Sequence, residues 1–149
     1  MEKTLILLKP DTVQRGYIGK IISRFEDKGL KIIGLKMMQL TEALLSEHYS
    51  HLKEKPFFPD IVSFMSSTPI VAMCVEGVDC VNQIRKMVGI TDSNKAEIGT
   101  IRGDFGNSVS YNLIHASDSP ETAEVEVKRF FKSEEIFDHN RLLDKYIRS

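Results

Sequence analysis

Tryptophan is absent, there are only two cysteines, and the apolar stretch nearest the N-terminus runs only from Leu5 to Leu8. Each scarcity excludes something. Leu5–Leu8 is far short of the h-region of a secretory signal or of a membrane span, so a cytoplasmic chain with no membrane role is expected. Cys74 and Cys80 have the spacing of neither a zinc knuckle nor a redox CxxC pair, so they read as buried, reduced thiols that behave as small hydrophobes. Charge of one sign is missing too: 20 Lys and Arg face 21 Asp and Glu, for a net charge of -1. No global field is available to hold nucleic acid or an anionic membrane, so any phosphate ligand must be bound by a local cluster. Repeats, low-complexity runs and linkers are also lacking, and the 149 residues, 42% of them hydrophobic, read as a single domain spanning 1–149.

The apolar pattern that is present alternates between two periods. Thr4 to Lys9 reads as a buried strand, and Ile18, Ile21, Ile22 and Phe25 then recur at helical spacing until Gly29. Lys31 to Leu40 resumes a strand with Ile33, Leu35 and Met37 on one face, and Thr41 caps a helix from about Glu42 to Leu52. A short helix carrying Ile61, Phe64 and Met65 follows the pair Phe57 and Phe58, and Ile70 to Glu76 forms the third strand. Asp79 is expected to cap a helix bearing Val81, Ile84 and Val88, which Gly89 ends. From Ile90 to about Tyr111 no period is sustained, and irregular stretches longer than roughly 12–15 residues are usually functional or disordered. Leu113 to His115 is the last strand, and Ser119 with Pro120 opens a helix whose buried stripe is Ala123, Val127 and Phe130. Helices should flank one four-stranded sheet, an α+β arrangement.

Chemistry concentrates where the long irregular stretch runs into the last strand. The imidazole of His115 is a competent nucleophile towards phosphorus near neutral pH if one nitrogen is free and the other is held by an acceptor. Glu126 is the candidate acceptor because it falls on the inward side of its helix, although a place at the stripe's edge would let it reach solvent. Ser117 either orients that carboxylate or is an ordinary turn residue. Three isolated cations, Lys9, Arg85 and Arg102, could surround phosphate oxygens, or each could be a solvated charge. His48 and His51 lie three apart on a helix with no third ligand nearby, so no metal site is read there. Gly16 to Lys20 lacks the upstream glycine of a Walker A loop.

Four segments in uninterrupted order carry a family resemblance. LLKPDTVQRGYIGKIISRFEDKGLKIIGLK at Leu7 to Lys36, HYSHLKEKPFF at His48 to Phe58, GTIRGDFG at Gly99 to Gly106 and NLIHASDS at Asn112 to Ser119 together resemble nucleoside diphosphate kinases. The resemblance implies a ferredoxin-like βαββαβ sandwich with a four-stranded antiparallel sheet flanked by helices. It implies a ping-pong reaction in which His115 takes the γ-phosphoryl of a nucleoside triphosphate and gives it to a diphosphate, with Glu126 and Ser117 fixing its ring. Lys9, Tyr49 and Asn112 would surround the γ-phosphate and the ribose 3′-hydroxyl, Arg85, Thr91 and Arg102 the other phosphates, and Phe57 would stack on a base of any kind. Mg²⁺ would come on the nucleotide's phosphates, without an all-protein cage. Members assemble as hexamers or tetramers; the C-terminal Leu142, Leu143 and Tyr146 favour a homohexamer here.

Departures from the family pattern sit beside these motifs. Ala116 stands where glycine is common, and alanine suits the site only if the backbone avoids the left-handed region. Ser93 and Ile98 stand where many members have proline. Two other readings compete: a regulatory member without turnover, and an RNA-binding module on the same fold. The complete set from Lys9 to Glu126 counts against the first; neutral charge and the lack of an aromatic RNP-type strand count against the second.

Overall fold

The computed structural model describes residues 1–148. The elements run β1 (Glu2–Leu8), α1 (Pro10–Gln14), α2 (Ile18–Asp27), β2 (Lys31–Met38), α3 (Glu42–His48), α4 (Phe58–Met65), β3 (Ile70–Gly77), α5 (Cys80–Val88), α6 (Ile101–Phe105), β4 (Ile114–Ala116) and α7 (Pro120–Phe130). The four strands form one antiparallel sheet in the order β2-β3-β1-β4, the ferredoxin-like α+β arrangement.

Strand β1 explains the layering. Its alternation sends Ile6 and Leu8 into one core with Ile21 and Phe25 of α2 and Ile84 and Val88 of α5. Leu5 and Leu7 enter the other, with Leu45 of α3, Met65 of α4 and Phe130 of α7. A strand covered on both faces must be apolar throughout, as β1 is from Leu5 to Leu8.

Strand β2 departs from simple alternation. A register shift between Ile32 and Gly34 leaves Ile33 as the extra residue of a bulge, with Ile32 packed in the first core and Ile33 in the second. The bulge changes the parity of everything after it. Ile33 is buried, whereas Leu35 and Met37, paired with Met73 and Val71 on the other side of the sheet, are exposed, so the three do not lie on one face as the alternation suggested. Gly34 permits the shift: a side chain there would press on Phe131, Cys74 and Ile136. Cys74 and Cys80 are both buried and free, and burial pushes each thiol up to about 12.

The remaining differences are local. The expected helix to Leu52 breaks after His48 into a single 3₁₀ turn at Ser50–Leu52. The long irregular stretch contains α6, capped by Thr100, whose hydroxyl accepts from the Gly103 amide at 3.0 Å. Asp79 does not cap α5 with its side chain; it sits at φ 50° and accepts instead from Asn82, while the Glu2 carboxylate takes the Val81 amide at 3.1 Å. The last strand is shifted by one residue to Ile114–Ala116, because Leu113 is at φ 76° and cannot continue a ladder. Ala116, by contrast, avoids positive φ, so its methyl is tolerated. No helix among the described residues is long and apolar enough to cross a membrane.

Candidate active site

The register of β4 on β1 decides where His115 points. His115 lies opposite Leu7, so its ring shares the Leu5–Leu7 face and turns towards α7. There Glu126, buried on the inward side of α7, meets it: His115 Nε2 lies 3.0 Å from Glu126 Oε1. Ser117 Oγ donates to the same oxygen at 2.7 Å and itself accepts from the Leu5 amide at 3.3 Å. Ser117 therefore supports the carboxylate from behind, with no side-chain exposure to the cleft.

Protonation follows from these contacts. Burial pushes the Glu126 carboxyl up, but the hydrogen bonds from His115 and Ser117 and the field of the two nearby histidines outweigh it and hold the group down at about 2. An ionised carboxylate can only accept, so His115 Nε2 carries the proton and Nδ1 keeps its lone pair. Among the described residues nothing in the protein hydrogen-bonds that Nδ1. In the neutral ring this fixes one nitrogen and leaves the other available as a nucleophile.

The ring opens on a cleft of ≈ 800 Å³ that also brings together Lys9, Tyr49, Arg85, Thr91, Arg102 and Asn112. Lys9 Nζ donates to Asn112 Oδ1 at 2.8 Å, and Asn112 Nδ2 reaches the Thr91 carbonyl at 3.1 Å. Arg102 is buried and spends three donors on main-chain carbonyls: Asn112 at 3.1 Å, Gly89 at 3.0 Å and Ile114 at 2.6 Å. It thus ties the end of α5 to the approach of β4, a structural duty its isolation in the sequence did not disclose. Arg85 is half-exposed and paired with the exposed Asp118 at 3.1 Å. Burial lowers Lys9 to about 8, helped by Arg102, and lowers Arg102 to about 10, helped by Arg85; in both Asp11 opposes the shift. Three cations gathered on one cleft, two of them largely withdrawn from water, favour an anion there.

Phe57 is 47% exposed and lines an adjoining cleft of ≈ 910 Å³, together with Phe64, Val109 and Tyr111. Lys9, Tyr49 and Thr91 line both clefts. An apolar, aromatic-walled recess therefore abuts the cationic one. Tyr49, half-buried beside Glu126, has its phenol pushed up to about 12 by desolvation and by that carboxylate, so it stays protonated.

Two residues of the site escaped the sequence reading. His48 lies beside His115, with ring centroids 4.8 Å apart, and Arg129 Nη1 lies 2.9 Å from His48 Nδ1. His48 and His51 offered only an i, i+3 pair, and a basic residue in the last turn of a helix reads as a dipole partner. The donor atoms of His48, His115 and Glu126 lie within 4.8 Å of one another. A cation would have to displace the Arg129 guanidinium from His48 Nδ1 and the His115 proton from Glu126, so the trio reads as a hydrogen-bond network. His48 Nδ1 is also 3.7 Å from Glu126 Oε2, but His48 is held neutral, at about 3, chiefly by burial, so that contact is not an ion pair.

Because Glu126 ionises well below the ordinary 4.5 in the fold, its contribution to stability is complete above about pH 4.5 and is lost as the pH falls towards about 2. Glu126→Gln should therefore unfold with a flatter acid profile than the parent between pH 5 and 3, read as urea midpoints. Parallel profiles would show that the carboxylate is not held as described.

Comparison with known proteins follows this geometry. The family described as Nucleoside diphosphate kinase matches residues 2–136. A nucleoside diphosphate kinase of Parabacteroides distasonis is 59% identical over 139 residues, covering 93% of this chain and 91% of the relative. One from Methanothermobacter thermautotrophicus is 55% identical over 136 residues, with 91% of each chain covered. Among solved structures, a halophilic nucleoside diphosphate kinase from Halobacterium salinarum in complex with CDP superposes with a TM-score of 0.96 at 45% identity, over 99% of each chain.

Proposed function

The chain belongs to the nucleoside diphosphate kinase family and is an enzyme of that type, and from this premise we propose that His115 is the residue that carries the phosphoryl group. The observation behind the assignment is the hydrogen bond from His115 Nε2 to Glu126, which leaves Nδ1 as the free nucleophile. In the first half-reaction the Nδ1 lone pair attacks the γ-phosphorus of a nucleoside triphosphate. A P–N bond forms, the bond to the bridging oxygen breaks, and a diphosphate leaves. In the second half an oxygen of the incoming diphosphate's terminal phosphate attacks the same phosphorus and the P–N bond breaks, restoring the ring. Glu126 accepts the hydrogen bond of the Nε2 proton throughout and balances the charge that develops on the imidazole.

The cationic cleft suits the nucleotide's phosphates. Lys9, Arg85 and Arg102 supply charge, Tyr49 and Asn112 supply donors towards the γ-phosphate and the ribose 3′-hydroxyl, and Thr91 completes the phosphate rim. The aromatic recess suits the base, with Phe57 stacking on one face. A stacking plate accepts any base, which supports breadth over purines and pyrimidines. Mg²⁺ fits this donor set as an ion carried by the phosphates: besides Glu126, the carboxylates lining the cleft are Asp118 and Glu121, too few for a protein cage. When bound it would neutralise phosphate charge.

We also propose a cytoplasmic homohexamer rather than a tetramer. The C-terminal segment is tied to its own subunit by Arg141, which donates to the carbonyls of Gly29 at 3.0 Å and Leu30 at 3.4 Å. Its apolar side chains nevertheless face outward: Leu142 is 94% exposed and Tyr146 74%. Leu35 and Met37 are exposed on edge strand β2 as well. Such surface calls for a neighbour. Against the hexamer, Ser93 and Ile98 replace prolines that many members have, which weakens loop contacts without undoing the assembly; Ile98 is 89% exposed on the α6 approach.

Incubation with labelled ATP is expected to leave acid-labile phosphate on the enzyme, and to pass it to added diphosphate with parallel double-reciprocal lines. His115→Ala should fold and do neither; near-parental turnover in that variant would overturn the assignment. Phe57→Ala should weaken adenine, guanine and pyrimidine nucleotides alike by about 1–3 kcal/mol, and a loss confined to one base would mark Phe57 as a specific reader. Sedimentation equilibrium at micromolar protein should give the mass of a hexamer. A tetramer would show that the tail does not bridge subunits.

A further inference from the structure

Arg129 has no part in the phosphoryl chemistry just described, yet its side chain is largely buried at the floor of the same cleft. We propose that Arg129 is a positioning residue for the reaction at His115: its guanidinium locks His48 as the neutral tautomer protonated at Nε2, leaving the Glu126 carboxylate to His115 alone. The inference rests on the phosphohistidine reading for its functional consequence, but not for its structural claim.

A guanidinium has donors and no acceptor. With Arg129 Nη1 at 2.9 Å, His48 Nδ1 must accept, so it carries no proton and the ring's proton sits on Nε2. The same Nδ1 lies 3.7 Å from Glu126 Oε2, while Glu126 Oε1 takes the hydrogen bonds of His115 and Ser117. Were Nδ1 protonated, a charged His48 would close that 3.7 Å gap and draw the carboxylate off His115. The two rings stand edge to face at 81°, so a charge on one is also felt directly by the other.

Glu126 and Arg129 are three residues apart on α7 and share a face, so one helix supplies both the acceptor for His115 and the lock on its competitor. The lock is not held by its own Nε: that atom is buried without a hydrogen bond, with Glu47 Oε1 at 3.5 Å. The contact with His48 is therefore what orients the guanidinium. The groups facing His48 are Glu126 and Arg129 from α7, His115 from β4, and Tyr49 and His51 on its own segment, with Glu47 reaching it through Arg129. Burial is the largest influence holding His48 down, His115 and Arg129 act in the same direction, and Glu126 alone among the charged groups opposes them.

Nitrogen-15 NMR of the intact parent enzyme reads the tautomer directly. His48 should appear neutral and protonated at Nε2 from pH 8 to 5; an imidazolium, or a proton on Nδ1, would overturn the proposal whatever the variants do. In kinetics, Arg129→Met should raise the acid limb of the kcat/KM profile by on the order of one pH unit, while Arg129→Lys, which keeps a donor on Nδ1, should leave it in place. Adding His48→Phe to Arg129→Met should return the limb to the parental position, since no second ring remains to titrate. An unshifted limb in Arg129→Met, or a shift that persists without His48, refutes the lock. Failure of the parent enzyme to form acid-labile phosphate would instead strike at the phosphohistidine reading and leave the tautomer result standing.

Discussion

The hydrogen bond from His115 Nε2 to Glu126 is the constraint around which the site is organised. It requires β4 to pair with β1 in the one register that turns His115 towards α7, since a slip of one residue would send the ring to the opposite core. It also requires α7 to present a carboxylate from its buried face, which is tolerable only because that carboxylate is bonded twice on one oxygen. Ser117 serves both sides, continuing the β1–β4 pairing through Leu5 while donating to Glu126. Sheet register, helix face and protonation state are thus one linked arrangement.

Around the histidine the electrostatics are arranged before any ligand arrives. Lys9, Arg85 and Arg102 converge on the cleft with only Arg85 in an ion pair, to Asp118, and burial, helped by the neighbouring guanidiniums, lowers Lys9 and Arg102. Main-chain carbonyls restrain Arg102, and Asn112 restrains Lys9, so these charges are held in place rather than free to swing into solvent. The left-handed Leu113 belongs to the same scheme. Such a conformation costs on the order of 1–3 kcal/mol in a residue other than glycine, and it is held by Asp11 on its amide and by the Lys9 amide and Thr12 hydroxyl on its carbonyl. The strained residue therefore welds the start of α1 to the start of β4, and with them Lys9 to His115.

Much of the fold was legible because local rules and tertiary demands agree in those places. Leu5 to Leu8 is apolar because β1 is covered on both faces, and Ser119 with Pro120 opens α7 through a cap that accepts from the Thr122 amide. Disagreement marks the places that were not. The bulge at Ile32 and Gly34 leaves no trace in an alternating pattern that continues through it, so Leu35 and Met37 read as sharing a face with Ile33. Helix α6 is too short to show a period and is held by Thr100 and by Asp104, which accepts from the Gly99 amide. Asp79 had the composition of a cap, yet Glu2, distant in sequence, takes that role.

Residue type made His115, Glu126 and the cations candidates, since few side chains can do that chemistry, and the family resemblance assigned their roles. Residue type could not supply what depends on distance across the chain. That Arg102 is bonded to three carbonyls arises where α6 meets the end of α5 and the approach to β4, and that Arg129 reaches His48 and that Nε2 rather than Nδ1 of His115 is the occupied nitrogen arise where α3, β4 and α7 meet. Periodicity and capping act over a few residues and are written in the order of the chain. Which lone pair a buried group keeps is decided by partners that folding alone brings within hydrogen-bonding range.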